Sequence, residues 1–333
     1  MTMLEVTDLS VKFPTLAGVV SAVDRLSFSV SAGETLAIVG ESGCGKSVTA
    51  LALLRLLSTS ATQLQGSIKL EGQELTTLPE RQMRALRGNR LAIIFQDPMA
   101  AFNPVMTIGD QIVEAIREHA PISRRAALAR AEELLDLVHL PDPRRRLDEY
   151  PHRFSGGMRQ RAAIAMALAS DPVLLIADEP TTALDVTIQA QILSLLHRLQ
   201  RDTGMGLVLI THDLGVVAEM ADRVLVMYAG RKVEEQNVYG LFDHPLHPYT
   251  RRLMGAKPKL AADSAGRPAR LQEIPGLVPS LIQMPPGCAF ASRCSMADLS
   301  CHTRPPVLLE RPGGAAVACH HVLKQVEVLH VAA

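Results

Sequence analysis

A glycine-rich segment, Gly40 to Ser47, constrains the fold of this chain more strongly than any other part of its sequence. It reads Gly-Glu-Ser-Gly-Cys-Gly-Lys-Ser and fits the pattern GxxxxGK[ST]. The apolar run from Thr35 to Val39 predicts a buried strand, and the pattern from Ser47 to Leu57 predicts a helix. A strand, a glycine-rich loop and a helix in this order are the setting in which such a loop binds phosphate groups.

The residue types in this loop predict a nucleoside triphosphate as its ligand. Glycines allow backbone N–H groups to face the phosphates, and the start of the helix adds partial positive charge. Lys46 is predicted to reach the β and γ phosphates, and Ser47 to bind Mg2+. The alternative is a glycine-rich turn that binds nothing. The predicted nucleotide-contacting residues of this segment are Gly40, Ser42, Gly43, Cys44, Gly45, Lys46, Ser47 and Val48.

Two further apolar runs of the same kind end in residues suited to phosphate chemistry. The run from Val173 to Ala177 is followed by Asp178 and Glu179. Asp178 is predicted to hold the Mg2+ shell, and Glu179 to polarise the water that attacks the γ phosphate. A third run, Leu207 to Ile210, is followed by Thr211 and His212, and the histidine is predicted to hydrogen-bond the γ phosphate or the water. Solvated acids and a structural histidine are the alternatives.

Taken in order, these motifs resemble those of the ATP-binding subunits of ABC transporters, over most of residues 1 to 250. The resemblance implies that two such cassettes close face to face, so that the signature of one subunit covers the phosphate loop of the other. Phe154 and Met158 depart from the common signature and also occur in the oligopeptide subgroup. The further residues that the resemblance assigns are Phe13 for adenine stacking, Gln96 for Mg2+ and the γ phosphate, Ser155, Gly156 and Gly157 as the signature, Asp185 in the segment Ala183-Leu184-Asp185, and His212 as the switch.

Longer strings are similar to one branch of that family, the oligopeptide, dipeptide and nickel importers. They are Phe95 to Met99, Phe102 to Pro104, Thr181 to Gln191, and His247 to Thr250. The resemblance implies ATP-driven peptide uptake, with two permease subunits, an extracytoplasmic solute-binding protein and a second, related but different ATPase subunit. Import of nickel or another small solute is the alternative for the cargo, and a homodimer of this chain is the alternative to two different ATPase subunits. A non-transport ABC ATPase is a further alternative, although such proteins usually carry a long coiled-coil insertion or two cassettes.

Length and charge agree with this interpretation. The chain has 333 residues with 34 basic and 34 acidic side chains, a balance that gives no argument for a nucleic-acid partner. The first residues lack the order of a signal peptide, and no run of about 18 apolar residues predicts a membrane span. We therefore expect a peripheral subunit at the cytoplasmic face of the plasma membrane, with the pathway supplied by other chains.

The predicted fold class is α/β, a P-loop nucleotide-binding domain of ABC type. Residues 1–96 and 172–240 are predicted to form the ATP-binding core, because β-rich runs alternate there with helical patterns. Residues 97–171 are predicted to form an inserted helical subdomain with the signature motif, including helices over Ile108–Ile116 and Arg124–Leu137. Residues 241–333 are predicted to be a loop-rich extension, with frequent proline and glycine such as Pro258 and Pro268.

Four of the five cysteines lie in the extension, with the spacing Cx5Cx6Cx17C. Structural zinc sites more often use pairs separated by two to four residues, and disulfides are rare in the cytosol. Four thiolates on loops suit a [4Fe-4S] cluster, although the spacing differs from that of ferredoxins. The segment Pro285 to Cys294 resembles the extension of peptide importer ATPases, some of which carry such a cluster. Zinc, free thiols and a disulfide remain alternatives for the cysteines, and a metal-cluster sensor that uses ATP only structurally is an alternative function. The predicted ligands are Cys288, Cys294, Cys301 and Cys319.

The fifth cysteine, Cys44, lies inside the phosphate loop, and its expected role is that of a small packed thiol. The adjacent helix start is expected to lower the pKa of its thiol. Alkylation is expected to block nucleotide binding, and ATP to protect against it, because an adduct would occupy the phosphate site.

Overall fold

A computed structural model describes residues 2–182, 184–255, 274–311 and 313–322. Ala183 of the predicted Ala183–Asp185 motif, and Pro258 and Pro268 of the extension, lie outside these ranges. The strands are β1 Thr2–Thr15, β2 Gly18–Ser31, β3 Thr35–Val39, β4 Gln63–Leu70, β5 Gln73–Glu74, β6 Leu91–Ile94, β7 Leu174–Asp178, β8 Gly206–Ile210, β9 Arg223–Tyr228, β10 Arg231–Asn237, β11 Leu309–Arg311 and β12 Ala315–Val317.

Helices lie between strands in residues 35–94 and 174–228, and four helices follow one another between β6 and β7. Three 3-10 turns lie at Pro98–Ala101, Pro151–Arg153 and Ala291–Arg293. The helices are α1 Lys46–Leu53, α2 Glu80–Leu86, α3 Ile108–His119, α4 Arg124–Leu137, α5 Pro143–Arg146, α6 Gly156–Ala167, α7 Val186–Thr203, α8 Leu214–Met220, α9 Val238–Asp243, α10 Pro248–Gly255 and α11 Leu299–Thr303. Within the ranges given above, no helix combines the length and apolar character that crossing a membrane needs.

The main sheet has the strand order β11-β12-β10-β9-β3-β8-β7-β6. Its central strands β9, β3, β8, β7 and β6 pair in parallel, as in the ladder Leu36↔Val208, and β10 turns back antiparallel to β9. Every residue of β3, β7 and β8 is buried, because both faces of the sheet are covered. The α/β fold class predicted from the sequence is therefore confirmed.

Each face of this sheet packs on a different layer. Leu175 and Leu209 join a core that includes residues of α3, α4, α6 and α7. Ile176 and Ile210, the next residues along the same strands, join a core shared with α1 and with a second, antiparallel sheet of order β2-β1-β4-β5. Side chains alternate between the two faces of a strand, so one apolar run supplies both cores.

The middle helices begin at residues that cap them. Thr107, Ser123 and Ser155 each accept a hydrogen bond through the side-chain oxygen from a backbone N–H of the first turn. Helix α4 has the predicted bounds, whereas α3 continues past Ile116 to His119, where Pro121 lies two residues beyond. The predicted helices of this region are thus present.

Helix α1 ends at Leu53, four residues before the predicted end. Arg55 has φ +49, in the left-handed region that ends a helix. Its guanidinium donates hydrogen bonds to the carbonyl oxygens of Leu75 (3.0 Å) and Leu78 (2.6 Å). These tertiary contacts, which no local pattern reveals, hold the chain in the turn.

The C-terminal extension contributes strands to the main sheet, in addition to the predicted loops. Strand β12 pairs antiparallel with β10 in the register Glu235↔Ala316, and β11 pairs with β12. The backbone N–H of Ala318 also donates to the carbonyl of Val233 at 2.9 Å. The sheet edge that β10 would expose is therefore covered, which removes a site for non-native strand pairing.

A buried aromatic cluster joins the extension to the rest of the fold. Tyr228 at the end of β9, Tyr249 of α10 and Phe290 of the extension have ring centroids 4.7 to 5.4 Å apart. Such contacts contribute about 0.5–1.5 kcal/mol per pair beyond area burial. His247 lies beside Phe290 and is only 1% exposed. Aromatic rings thus pack α10 and the segment around Phe290, both parts of the extension, on β9.

Burial, with a smaller contribution from the charge of Arg251, lowers the pKa of His247 to about 3. The unfolded chain binds this proton below about pH 6.5, whereas the folded chain does not until about pH 3. We therefore expect the stabilising effect of the neutral ring to be present above about pH 6.5 and to decline by about 1.4 kcal/mol per unit as the pH falls through this window. Urea unfolding at about pH 7 and about pH 5 measures the loss.

The control is His247→Gln, whose side chain stays neutral throughout this range. This variant should start less stable, because the ring packs on Phe290 and its Nδ1 accepts from the Tyr249 backbone N–H at 3.0 Å. Between pH 5 and pH 6, its free energy of unfolding should fall less steeply with decreasing pH than that of the wild type. The difference in slope corresponds to about one proton taken up on unfolding. Equal pH slopes in the two proteins would contradict the assignment.

Candidate active site

The phosphate loop leaves the C-terminal end of β3 and continues into α1, as the sequence predicts. Gly45 has φ +101, and a Cβ there would lie 2.3 Å from the carbonyl oxygen of Ala22. Only glycine fits this position, because both the backbone conformation and the close approach exclude a side chain. The geometry of the turn is therefore set by β2 as well as by the loop's own sequence.

Lys46 lies at the first position of α1 and is 6% exposed. Its Nζ donates hydrogen bonds to the carbonyl oxygens of Gly40 (2.8 Å) and Glu41 (3.1 Å). The ammonium group is thus held across the loop by backbone oxygens. In this position it is available to exchange these partners for phosphate oxygens.

Ser47 and Asp178 are brought together at the carboxyl end of the sheet. The Ser47 hydroxyl donates to Oδ1 of Asp178 at 3.2 Å, although the two residues are 131 positions apart. Burial raises the pKa of the Asp178 carboxyl, and the bond from Ser47 acts in the opposite direction. An oxygen pair of this kind provides two of the ligands that Mg2+ prefers.

Glu179 lies at the centre of a second group of polar side chains. One of its oxygens accepts hydrogen bonds from Gln96 Nε2 (3.0 Å) and Thr182 Oγ1 (2.8 Å), and the other lies 3.3 Å from His212 Nδ1. The backbone of Glu179 has φ +47, a conformation that non-glycine residues rarely adopt. Asp178 precedes it directly. Gln96 and His212, which were predicted to act with Glu179 in hydrolysis, therefore both contact its carboxylate.

The signature residues contact a different part of the molecule. Ser155 caps α6, its Oγ accepting from the Met158 backbone N–H at 3.3 Å. A Cβ at Gly157 would lie 2.7 Å from Ile188 Cγ2, so glycine allows α6 to approach the start of α7. These contacts connect the signature with α7 rather than with the phosphate loop.

Four further predicted residues lie on, or next to, four different elements. Phe13 is half-buried on β1, opposite Val20 of β2, and Val48 is half-buried on α1. Asp185 caps α7, its carboxylate accepting from the Ile188 backbone N–H at 3.0 Å. Gln96 is exposed just after β6, near the root of the helical segment.

Thr182, Tyr249 and Arg293 also contact residues of this site, although the sequence predicted no role for them. Each lies in a string that resembles the importer family, but no local pattern shows what its side chain contacts. Arg293 stands beside Cys294, and nothing in its neighbourhood points to the phosphate loop 252 positions away. Only the folded chain brings these groups together.

The expectation for the Cys44 thiol pKa was wrong. Cys44 is 1% exposed, and burial raises the pKa of its thiol above the ordinary value. The charge of Lys46 acts in the opposite direction but is the smaller influence. A thiolate is poorly solvated in this packed environment, so the helix start does not control its ionisation.

We therefore expect Cys44 to be alkylated slowly at neutral pH, because the thiolate is the reactive form and is scarce below a raised pKa. The rate should increase as the pH rises through and above about 9. Iodoacetamide labelling followed by peptide mass spectrometry measures it, with Cys44 in the urea-unfolded chain as the comparison. Equal labelling rates of Cys44 in the folded and unfolded chains at neutral pH would contradict this prediction.

The four cysteines of the extension line one small cavity, together with His247, His320 and His321. The four cysteines are free thiols. The Cys288 backbone N–H donates to the Cys301 carbonyl at 2.7 Å. Burial, with a smaller contribution from the neighbouring thiols, raises the pKa of Cys288 to about 11. The fold thus brings together cysteines that the sequence separates by as many as 31 positions.

One subset of ligand atoms lies closer together than the rest. Atoms of Asp298, Cys301 and His321 are all within 4.8 Å of one another, and Cys301 Sγ lies 3.7 Å from His321 Nε2. Four thiols around one cavity fit an iron–sulfur cluster, whereas a mixed carboxylate, thiol and imidazole set fits zinc. The donor chemistry is therefore compatible with either group.

A phosphate loop at the end of a parallel sheet, beside a strand that ends in two carboxylates, is the arrangement of a P-loop nucleoside triphosphatase. Comparison with known families agrees. The family described as "ABC transporter" matches residues 23–182, and the family described as "Oligopeptide/dipeptide transporter, C-terminal region" matches residues 233–301. Relatives and solved structures narrow the class further.

The chain is 55% identical to the probable peptide ABC transporter ATP-binding protein y4tR of Sinorhizobium fredii, over 95% of this chain and 94% of that protein. It is 51% identical to the putative peptide import ATP-binding protein BAB2_1052 of Brucella abortus, with the same coverage. The chain therefore belongs to the family of ABC transporter ATP-binding proteins, and it is an ATPase.

Solved structures show the same fold for the cassette. The dimeric structure of MJ0796, a bacterial ABC transporter cassette, superimposes with a TM-score of 0.64 at 26% identity, over 71% of this chain and 99% of that one. The cbiO1 subunit from Clostridium perfringens gives a TM-score of 0.61 at 25% identity, over 73% of this chain and 91% of its own.

Proposed function

We propose that this chain is the ATP-hydrolysing subunit that powers uptake of dipeptides or oligopeptides. The observation that carries the proposal is the Glu179 carboxylate, held by Gln96, Thr182 and His212 one residue after the Ser47–Asp178 pair. It supplies a base next to a metal-binding pair, as γ-phosphate hydrolysis requires. The match to the peptide transporter C-terminal region supports the cargo class.

Each residue has a distinct part in the proposed reaction. Lys46 binds the β and γ phosphates in place of its backbone partners. Ser47 and Asp178 would hold Mg2+, which would supply positive charge beside the phosphates. Glu179 orients the attacking water and accepts its proton. Gln96 and His212 hold the Glu179 carboxylate and contact the γ phosphate, while Phe13 stacks on adenine.

The signature segment acts in trans in this proposal. Ser155 and Gly157 lie at the start of α6, where backbone N–H groups and little side-chain bulk suit a phosphate. In this chain the signature contacts α7, so a second cassette is needed to cover the phosphate loop. The dimeric MJ0796 cassette has a similar fold.

We place the subunit at the cytoplasmic face of the plasma membrane, where a related second ATPase, two permease subunits and an extracytoplasmic solute-binding protein complete the importer. In this division, residues 1–96 and 172–240 are the ATP-binding core. Residues 97–171 dock under a permease subunit, with Gln96 at their root. Residues 241–333 form the importer-type extension, whose strands β11 and β12 pair onto the core sheet.

The test is ATP hydrolysis by the assembled transporter in proteoliposomes. The proposal predicts that the binding protein with a peptide mixture stimulates ATP hydrolysis, and that Glu179→Gln abolishes the stimulation. Stimulation by a nickel chelate alone would instead identify a nickel importer. Full activity without any membrane partner or solute would favour a non-transport ATPase.

We also propose a [4Fe-4S] cluster on Cys288, Cys294, Cys301 and Cys319, because all four line one cavity. When bound, the cluster would connect separate segments of the extension, including α11, which carries Cys301. Zinc on Asp298, Cys301 and His321 is the second candidate. Iron, sulfide and zinc analysis of anaerobically purified protein distinguishes them, and the absence of iron and sulfide would exclude the cluster.

A further inference from the structure

Arg293 connects the C-terminal extension directly to the phosphate loop. Its Nη1 donates to Oε2 of Glu41 at 2.7 Å, and its Nη2 donates to Oε1 of the same carboxylate at 3.0 Å. The Arg293 side chain is 4% exposed and that of Glu41 is 26% exposed. A bidentate pair of this kind is among the stronger and more directional ion pairs in proteins.

The other donors of Arg293 are used within the extension and the main sheet. Its Nε donates to the Pro275 carbonyl (3.1 Å), its Nη2 to the Ile274 carbonyl (2.9 Å), and its Nη1 to the Tyr228 hydroxyl (3.2 Å). The guanidinium is therefore fixed before it meets Glu41. Few rotational states are lost when it holds the carboxylate.

Glu41 is the second residue of the phosphate loop and is anchored at three points. Besides the carboxylate pair, its backbone N–H donates to the Tyr249 hydroxyl at 2.9 Å, and its carbonyl accepts from Lys46 Nζ at 3.1 Å. Tyr249 and Arg293 both come from the C-terminal part of the chain. Two groups outside the predicted ATP-binding core thus hold the first half of the loop.

The negative charge of Glu41 makes its pairing with Arg293 relevant to the binding of a triphosphate. Glu41 places a carboxylate in a loop that binds a triphosphate, and an unpaired carboxylate there would repel the polyanion. Arg293 neutralises the carboxylate and holds it toward the extension. The same pair also limits the movement of the Glu41 carbonyl, which accepts from Lys46.

We propose that Arg293 is a positioning residue for ATP, acting through Glu41, so that the affinity of the phosphate loop depends on the correctly folded extension. The inference rests on the proposed function, since it assumes that the loop binds ATP. It adds that the extension, besides any role in partner docking or metal binding, is part of the nucleotide-binding machinery.

The experiment measures binding of MgATPγS to the full-length chain by titration calorimetry. Arg293→Met should weaken binding by about tenfold, because Glu41 is left unpaired beside the phosphates. Arg293→Lys should fall in between, since an ammonium group pairs with one oxygen at a time. Arg304→Met, at an exposed arginine of the same extension, is the matched control and should bind as the wild type does.

Glu41→Gln separates positioning from loss of structure. The single variant removes the charge but leaves Arg293 its other partners, so it should bind MgATPγS at least as tightly as Arg293→Met does. The double variant Arg293→Met/Glu41→Gln should recover binding to within about threefold of the wild type, because no carboxylate remains unpaired. A general collapse of the extension would not be rescued in this way.

Kinetics of the assembled transporter provide a second readout. The KM for ATP should rise by about tenfold in Arg293→Met while kcat changes little, since Arg293 does not touch Glu179. Wild-type affinity in Arg293→Met, or an unrescued double variant, would overturn the inference and leave the proposed function intact. A wild-type chain that does not bind MgATPγS would overturn both.

Discussion

Replacing Glu179 with glutamine should reduce ATP turnover by on the order of a thousandfold while leaving ATP binding intact. The amide has nearly the same shape as the carboxylate. It keeps an oxygen that can accept the hydrogen bond from Thr182 Oγ1, which is 2.8 Å long in the wild type. It has no negative charge and does not accept a proton from water at neutral pH. The loss should therefore fall on kcat, because a step of the chemistry is removed and the phosphate contacts remain.

A second consequence of Glu179→Gln is accumulation of the ATP-bound state. If hydrolysis reopens the paired cassettes, a variant that binds but does not hydrolyse should stay in the closed dimer. Size-exclusion chromatography with and without MgATP measures this. The control is Glu219→Gln, at an exposed acid of α8, which should keep wild-type turnover. Turnover at the wild-type rate in Glu179→Gln would show that Glu179 is not the base.

Replacing Lys46 with methionine should weaken ATP binding by on the order of a hundredfold, because a charge-assisted contact to the phosphates is lost. The stem of methionine fills much of the same space, so the packing of α1 changes little. The variant also removes the hydrogen bonds from Lys46 Nζ to the carbonyl oxygens of Gly40 (2.8 Å) and Glu41 (3.1 Å). A fluorescent ATP analogue titrated into the purified chain measures the affinity.

Lys69→Met is the matched control for this variant. Lys69 is half-buried on β4, opposite Glu5 of β1, so its loss removes a lysine from the antiparallel sheet instead of the phosphate loop. It should bind ATP as the wild type does. Thermal unfolding of the ligand-free proteins checks that both variants are folded. Retention of wild-type affinity in Lys46→Met would place the phosphates elsewhere.

The two variants separate binding from chemistry. Glu179→Gln should bind and fail to turn over, whereas Lys46→Met should fail at the binding step. Lys46 follows β3 and Glu179 follows β7, two strands of one sheet that are separated by β8. The 3.2 Å hydrogen bond between Ser47 and Asp178 joins the two sites. Loss of binding in both variants would indicate that Glu179 holds the nucleotide as well as the water.

Local sequence was sufficient wherever neighbouring residues determine the structure. The strand Thr35–Val39 and the helix Arg124–Leu137 have the bounds that apolar spacing predicts, and Ser123 caps the helix. The meeting of Ser47 with Asp178 also follows, because parallel strands of an α/β sheet bring their carboxyl ends to one edge. The C-terminal end of α1 does not follow, because Arg55 is held by carbonyls of distant residues.

The cysteine-bearing extension shows the limit of the sequence more clearly. Four cysteines and their spacing predicted a common ligand site, and the fold places all four around one cavity. The spacing does not show that β11 and β12 complete the main sheet, because strand pairing depends on which edge is free. It also does not show His321 and Asp298 beside Cys301.

By itself, the sequence determined the strand, phosphate loop and helix around Lys46 and the acids at the end of β7, because each is encoded by residues close together in the chain. Tertiary structure alone decided that Arg293 meets Glu41 and that burial raises the pKa of the Cys44 thiol. An ion pair spanning 252 positions and the desolvation of a thiol both depend on which surfaces pack together. Packing between distant segments is a property of the whole fold.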